Sequence, residues 1–178
     1  MTTRCRPLLG AFVEITAPDG ADAAVNSAFE AVAHVHARMS FHEADSDLGR
    51  LRRARAGDVV EVDRATAQVL RLAGELFAAT GGLFDVGVGR ALAEAGFLPR
   101  DGLGVLAAYP GDGGDIEVLD DTHIRLARRT LVDLGGIAKG YAVDRAMETL
   151  LAAGVPASVV NAGGDLRVFG ARPHRVGL

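Results

Sequence analysis

The segment Val132-Asp133-Leu134-Gly135-Gly136-Ile137-Ala138-Lys139-Gly140-Tyr141-Ala142-Val143-Asp144 runs from apolar residues through an acid, a glycine pair and a lysine into helical spacing. That pattern predicts a strand, a tight turn and a helix start. Glycines at such a turn let a ligand approach the backbone. A helix N-terminus presents N–H groups without intrahelical partners to an anion, and Lys139 adds a full positive charge. These are the parts of a phosphate or pyrophosphate site. The same glycine pair is also an ordinary way to turn the chain between a strand and a helix, so the block alone leaves both readings open.

Two further stretches repeat the theme. Ser158-Val159-Val160-Asn161-Ala162-Gly163-Gly164-Asp165-Leu166-Arg167-Val168-Phe169-Gly170 is an apolar run broken by glycines and an acid, which predicts a hairpin with a functional rim. Thr80-Gly81-Gly82-Leu83-Phe84-Asp85-Val86-Gly87-Val88-Gly89 joins a helix end to a glycine pair, an aromatic and an acid. Three such blocks exceed what turns alone require. Asp85 and Asp133 are acids beside glycines, where packing does not ask for a charge. Outside this context a phenylalanine such as Phe84 is more often simply a core residue, and His42 reads also as a solvated loop histidine. His34 and His36, at i and i+2, do not face one another and belong to a helix face rather than a metal site. Asp144 and Arg145 read as an exposed helical pair.

The elements that must position these residues follow from length and patterning. With 178 residues, 49% hydrophobic and 24% charged, the chain suits one domain, 1–178, and is short for two. A net charge of −4 gives no electrostatic footprint for nucleic acid. Arg50, Arg52, Arg53 and Arg55 read as a solvated helix end followed by a loop, from which one arginine is still free to meet a phosphate. The single cysteine, Cys5, excludes an internal disulfide framework. The N-terminus lacks the apolar stretch of a signal peptide or lipoprotein anchor, so the chain as written is expected in the cytoplasm without a membrane anchor, or in the periplasm if a signal has been removed.

Leu8 to Thr16 has strand character, closed by Pro18-Asp19-Gly20. A long helix is expected over Ala21 to Met39, with Val25, Ala28, Phe29, Val32 and His36 on its apolar stripe. Ser46 reads as the cap of a short helix, Val59 to Val62 as an extended piece, and the residues from Asp63 to the glycines at 81 and 82 as a second long helix. Arg90 to Glu94 suggests a turn or more of helix. Arg100 to Asp115, with six glycines or prolines, predicts a loop or surface insertion. Ile116 to Val118 and His123 to Leu126 form a hairpin through Asp120-Asp121. A strand over Thr130 to Leu134, a helix over Ile137 to Ala153, and strands at Ser158 to Asn161 and Leu166 to Phe169 follow. Arg172 to Leu178 reads as a connection into another strand. Strands and helices mix without strict alternation, which defines an α+β fold.

Taken together, Pro7-Leu8-Leu9-Gly10, Met39-Ser40 with Ser46-Asp47-Leu48, Thr80 to Asp85, Asp133 to Asp144 and Asn161 to Asp165 resemble, in order and spacing, the ApbE family of FAD:protein FMN transferases, formerly called thiamine biosynthesis lipoproteins. The resemblance implies a mixed sheet with flanking helices. It implies an enzyme that cleaves FAD, joins its FMN half to a threonine hydroxyl of an acceptor flavoprotein and releases AMP, with magnesium neutralising the pyrophosphate. By the same resemblance Leu9 borders the flavin, and His42 stands where the family places a tyrosine or tryptophan beside the isoalloxazine ring. Leu83, Phe84 and Asp85 lie along the adenine and ribose, Asp133 and Lys139 hold polar and phosphate groups, and the Gly136 carbonyl meets Mg2+. Asn161, Gly163 and Gly164 shape the pocket. No residue is assigned as catalytic, and homodimerisation stays open. The family pattern continues past the Asn161–Asp165 hairpin with Asp and Thr magnesium ligands that these 178 residues lack. The alternative reading is therefore an FAD-binding module without transfer activity.

Overall fold

In the computed structural model, which describes residues 1–171, the chain runs through β1 (Thr2–Leu8), β2 (Ala11–Ala17), α1 (Asp22–Met39), α2 (Asp47–Arg53), β3 (Val59–Glu61), α3 (Arg64–Ala79) and α4 (Gly89–Glu94). It continues with β4 (Ile116–Val118), β5 (His123–Leu126), α5 (Ala138–Ala152), β6 (Ser158–Ala162) and β7 (Asp165–Phe169), giving the α+β fold read from the sequence. The elements form two compact units, one of residues 1–36 with 138 onward and one of residues 37–137.

The first unit is built on an antiparallel sheet of order β1-β2-β6-β7. Period-two alternation sends Val13, Ile15 and Ala17 of β2 and Ser158, Val160 and Ala162 of β6 to one buried face, while Phe12 on the other face is 70% exposed. Helix α1 buries Val25, Ala28, Phe29, Val32 and Val35 at helical spacing. Val35, rather than the half-buried His36, completes the apolar stripe expected from the sequence. Strand β1 runs beside α1, with Arg4 and Arg6 bonded to Asn26 and the Arg6 guanidinium 4.6 Å from the Phe29 ring centroid. Helix α5 lies on β6 and β7, tied by an Arg167–Asp144 ion pair of 2.7 Å. Asp144 is thus partnered across to the strand and not to Arg145. Arg145 pairs instead with Glu148 and stacks on Tyr141.

Register fixes one end of this sheet as a rim. Leu8 pairs with Ala11 around the Leu9-Gly10 turn, and Ala162 pairs with Asp165 around the Gly163-Gly164 turn. Since Val13 pairs with Ala162, both turns lie at the same end. A Cβ placed on Gly163 would stand 2.9 Å from that of Ala11, a distance at which something must move.

The second unit holds the smaller antiparallel sheet β3-β5-β4. Ser46 caps α2, accepting from the Gly49 N–H at 2.9 Å, and Asp63 caps α3, accepting from the Ala65 N–H at 2.8 Å. In the β4–β5 hairpin the Asp120 carboxylate accepts from the Thr122 and His123 N–H groups at 2.7 and 2.9 Å.

Three expectations are corrected. The residues before Leu8 form a strand, β1, and the strand expected over Leu8 to Thr16 begins only after a hairpin turn. Polar Thr3 and Arg4, with Pro7, hid an edge strand whose inner residues pack on a helix. Thr130 to Leu134 makes a single parallel bridge, Val88 to Leu131, rather than a strand, because its neighbours are irregular loops that offer no further ladder. The Arg100–Asp115 loop is no surface insertion. Leu103 and Tyr109 are buried with Phe41, Ala93 and Leu131, and the Arg129 guanidinium covers the Tyr109 ring at 4.4 Å. Arg172 to Leu178 lie outside the described residues.

Candidate functional site

In the first unit, Leu9, Asn161, Gly163, Gly164, Asp165 and Lys139 belong to the rim described above. Asn161 Oδ1 accepts from the Gly164 N–H at 3.0 Å, closing the β6–β7 turn on itself. Lys139, in the first turn of α5, reaches Asp165 Oδ2 at 3.7 Å, with the two side chains 34% and 47% exposed. Its ammonium is thus held at the rim by a partner that solvent still reaches. Sequence reading did not pair these residues, because the strand that brings Asp165 to α5 is set by sheet register. Leu9 is half-buried with a left-handed φ of 58°, and its N–H donates to His36 Nδ1 at 3.2 Å.

In the second unit, Thr80 ends α3 and anchors the loop that follows. Its hydroxyl donates to the Leu76 carbonyl at 2.7 Å and accepts from the Phe84 N–H at 2.9 Å. Leu83 is left 91% exposed, an unusual place for a large apolar side chain. Phe84 is half-buried, neither core nor free, with its ring edge facing Gly136. Asp133 N–H donates to the Val86 carbonyl at 2.8 Å, and its Oδ2 accepts from the Gly135 N–H at 3.0 Å. The structure therefore brings Phe84, Asp133 and Gly136 together.

Asp85 is bound into the fold. Its Oδ1 accepts from the Gly87 and Gly113 N–H groups at 2.6 and 2.8 Å, which fastens the 84–87 loop to the 112–114 turn. Packing therefore asks for this acid after all, and Oδ1 is committed whatever Oδ2 meets. His42 is exposed, edge-on to Phe41 at 6.0 Å, and its N–H donates to Ser40 Oγ.

Asp47 was read only as part of a motif, yet it organises this unit. Fully buried, its Oδ2 accepts from the Asp63 N–H at 2.9 Å and the Thr66 hydroxyl at 2.6 Å, while Oδ1 meets Arg50. The arginines nearby do form a solvated helix end, with Arg53 and Arg55 exposed, yet two of them also tie down the preceding loop. Arg52 donates to the Phe41 carbonyl and Arg53 to the Ala44 carbonyl, so the 41–44 loop is tied down by the helix that follows it. The sequence signal was there in a Ser-Asp pair before an arginine-rich helical turn.

Among the described residues there is no group of three or more His, Cys, Asp or Glu side chains able to hold a metal ion. Near Gly136 the chain offers magnesium one neutral carbonyl and the Asp133 carboxylate, already engaged by Gly135. Magnesium binds through carboxylates, waters and substrate phosphates in a near-ideal octahedron. These residues do not make up that set.

This α+β fold is shared with solved proteins of the ApbE type. The chain superposes on the apo flavinyl transferase ApbE of Pseudomonas stutzeri with a TM-score of 0.83 at 22% identity, over 97% of this chain and 62% of that one. On the ApbE protein of Thermotoga maritima the TM-score is 0.82 at 26% identity, over 96% and 59%. The sequence matches the ApbE family over residues 9–178, and the chain belongs to that family. It is 34% identical over 136 residues to an FAD:protein FMN transferase of Rhodobacter capsulatus, covering 69% of this chain and 26% of that protein. It is 28% identical over 144 residues to one from Vibrio cholerae, covering 76% and 43%. The chain thus spans between a quarter and a half of the length of these two relatives.

Proposed function

We propose that this chain is the flavin-nucleotide-binding portion of an FAD:protein FMN transferase. The observation that carries the reading is the match to the ApbE family over nearly the whole chain, which includes every block that builds the rim and its lysine. FAD is the substrate, and Lys139 meets its pyrophosphate. Leu9 borders the flavin, and within the second unit Leu83 and Phe84 offer an apolar surface of their own to a ligand. The exposure of Leu83 supports this, because an apolar side chain in water gains by being covered.

In the transfer, a threonine oxygen of an acceptor flavoprotein attacks the FMN-side phosphorus. The P–O bond to AMP breaks, a threonine phosphoester forms, and the hydroxyl proton leaves to a base. The contribution of this chain is to bind and orient FAD and to place a cation beside the bridging phosphates. Magnesium would supply Lewis-acid stabilisation, but the described residues do not make its site, and no step is assigned to it.

A second reading, binding of FAD without transfer, is favoured by one observation: the absence of a metal-binding cluster among the described residues. One experiment separates the two. The chain is incubated with FAD, Mg2+ and a flavoprotein bearing an acceptor threonine, and AMP release is followed together with the acceptor's mass. A mass gain equal to FMN supports transfer, and FAD binding without AMP release supports the binding module. Absence of both refutes the proposal.

A further inference from the structure

Leu9 is the one described non-glycine residue with a left-handed backbone, and with Gly10 at φ 69° it forms a two-residue turn of the kind that favours Asn-Gly or Gly-Gly. A branched apolar residue in that conformation stores strain, which persists only where the surroundings over-determine it. The β1–β2 ladder closes at Leu8 and Ala11, and the Leu9 amide is taken by a side chain 27 residues away, His36 Nδ1 at 3.2 Å. An imidazole nitrogen that accepts is unprotonated, so this ring carries its proton on Nε2. His36 sits near the end of α1, whose Val32 and Val35 are buried, so the acceptor is held on a packed helix.

We propose that His36 is a positioning residue for flavin recognition: through its Nδ1 it holds Leu9 in the left-handed conformation that presents the residue at the rim. The inference rests on the reading of that rim as flavin-binding. It accounts for why a leucine stands where the turn favours glycine or asparagine. The side chain is kept for a ligand contact, and a histidine on the neighbouring helix supplies the missing acceptor.

The test uses the whole chain with three probes, riboflavin, FAD and ADP. His36→Phe keeps a ring but removes the acceptor, His36→Gln restores one, and His36→Leu serves if His36→Phe does not fold. Riboflavin and FAD affinities should fall together by about tenfold in the non-accepting variant, the scale of one released strain of this kind. ADP should be unaffected and His36→Gln should recover most of the loss. In a Leu9→Gly background, where the turn no longer needs support, the same substitution should change flavin affinity by less than about twofold. A through-hydrogen-bond 15N–15N coupling between Leu9 and His36 in the unliganded chain is a readout independent of any ligand. Unchanged flavin affinity in both non-accepting variants overturns the proposal, as does an equal loss for ADP or an undiminished loss in the Leu9→Gly background. If the native chain binds neither riboflavin nor FAD, the flavin reading itself falls, and this inference with it.

Discussion

Replacing Lys139 by alanine removes the cation from the rim, and the size of the effect follows from what the lysine does before and after ligand arrives. In the unliganded chain its Nζ stands 3.7 Å from Asp165 Oδ2, with both side chains more than a third exposed. A pair so open to solvent is worth only about 0.2–1 kcal/mol. A hydrogen bond from an ammonium to a phosphate oxygen contributes about 1.5–3 kcal/mol. Engaging FAD trades the weaker contact for the stronger one, so Lys139→Ala should cost about 1–2 kcal/mol of binding, roughly 5- to 30-fold in Kd. Riboflavin carries no phosphate and should bind both proteins alike. Asp165→Asn releases the lysine from its competitor and should tighten FAD by no more than about fivefold, since it returns only the energy of the exposed pair. Flavin fluorescence titrations at low and high salt measure all of these, and the difference between FAD and riboflavin should shrink as salt screens the exposed charge. Equal losses for FAD and riboflavin on Lys139→Ala would place the lysine away from the phosphates and refute the assignment.

The remaining predictions test the supports of the site. Asp47→Ala strips the acceptor from the Asp63 amide and the Thr66 hydroxyl, two donors in a buried setting, and should cost about 2–5 kcal/mol in urea unfolding, with Asp47→Asn costing less because one oxygen remains. Gly74 and Gly140 are helical glycines with no atom within 4 Å of an added Cβ, so alanine at either should raise stability by about 0.5–1 kcal/mol. Only Gly140→Ala should also weaken FAD, because Gly140 alone stands beside Lys139, and paired thermal melts and FAD titrations read both effects. The Thr122 backbone N–H, and after it the His123 side chain, hold the Asp120 carboxyl down at about 2. A depressed carboxyl pKa contributes stability that is complete above the unfolded value near ~4 and is lost as pH falls through about 2. The β4–β5 hairpin amides should therefore keep their protection from exchange down to about pH 4 and lose part of it below, whereas in Asp120→Asn that acid-dependent step should be absent.

Long elements with strong periodicity were legible in the sequence. The α1 and α3 patterns, the Ser46 cap and the β4–β5 hairpin stand where local chemistry put them. What was not legible depended on partners distant in sequence. β1 is a strand because β2 pairs with it and α1 covers it, and neither fact is written in Thr2–Leu8. Tyr109 is core because Phe41 and Leu131 come to meet it, though its own segment is rich in turn residues. Both acids beside glycines bond backbone N–H groups, Asp133 that of Gly135 two residues on and Asp85 also that of Gly113, 28 residues further on, and only the second partner lay beyond the reach of local sequence.

The glycine pairs, which look alike in sequence, separate by cause once the backbone is known. Gly81 and Gly82, at φ 61° and 85°, and Gly163 and Gly164, at 62° and 106°, occupy the left-handed region, so their turns account for them. Gly135 and Gly136 do not. A Cβ on Gly136 would make only an ordinary 3.7 Å contact with the Phe84 ring, and one on Gly135 would stand 3.0 Å from the movable Asp133 carboxylate. Gly140, one residue past Lys139, has open space where its Cβ would be. At Gly136 and Gly140 the fold does not exclude a side chain, and helix propensity would favour alanine at Gly140. Of the three glycine-rich blocks, the one containing Lys139 is the one whose glycines chain geometry does not demand, and it is there that the proposed phosphate contact is to be tested.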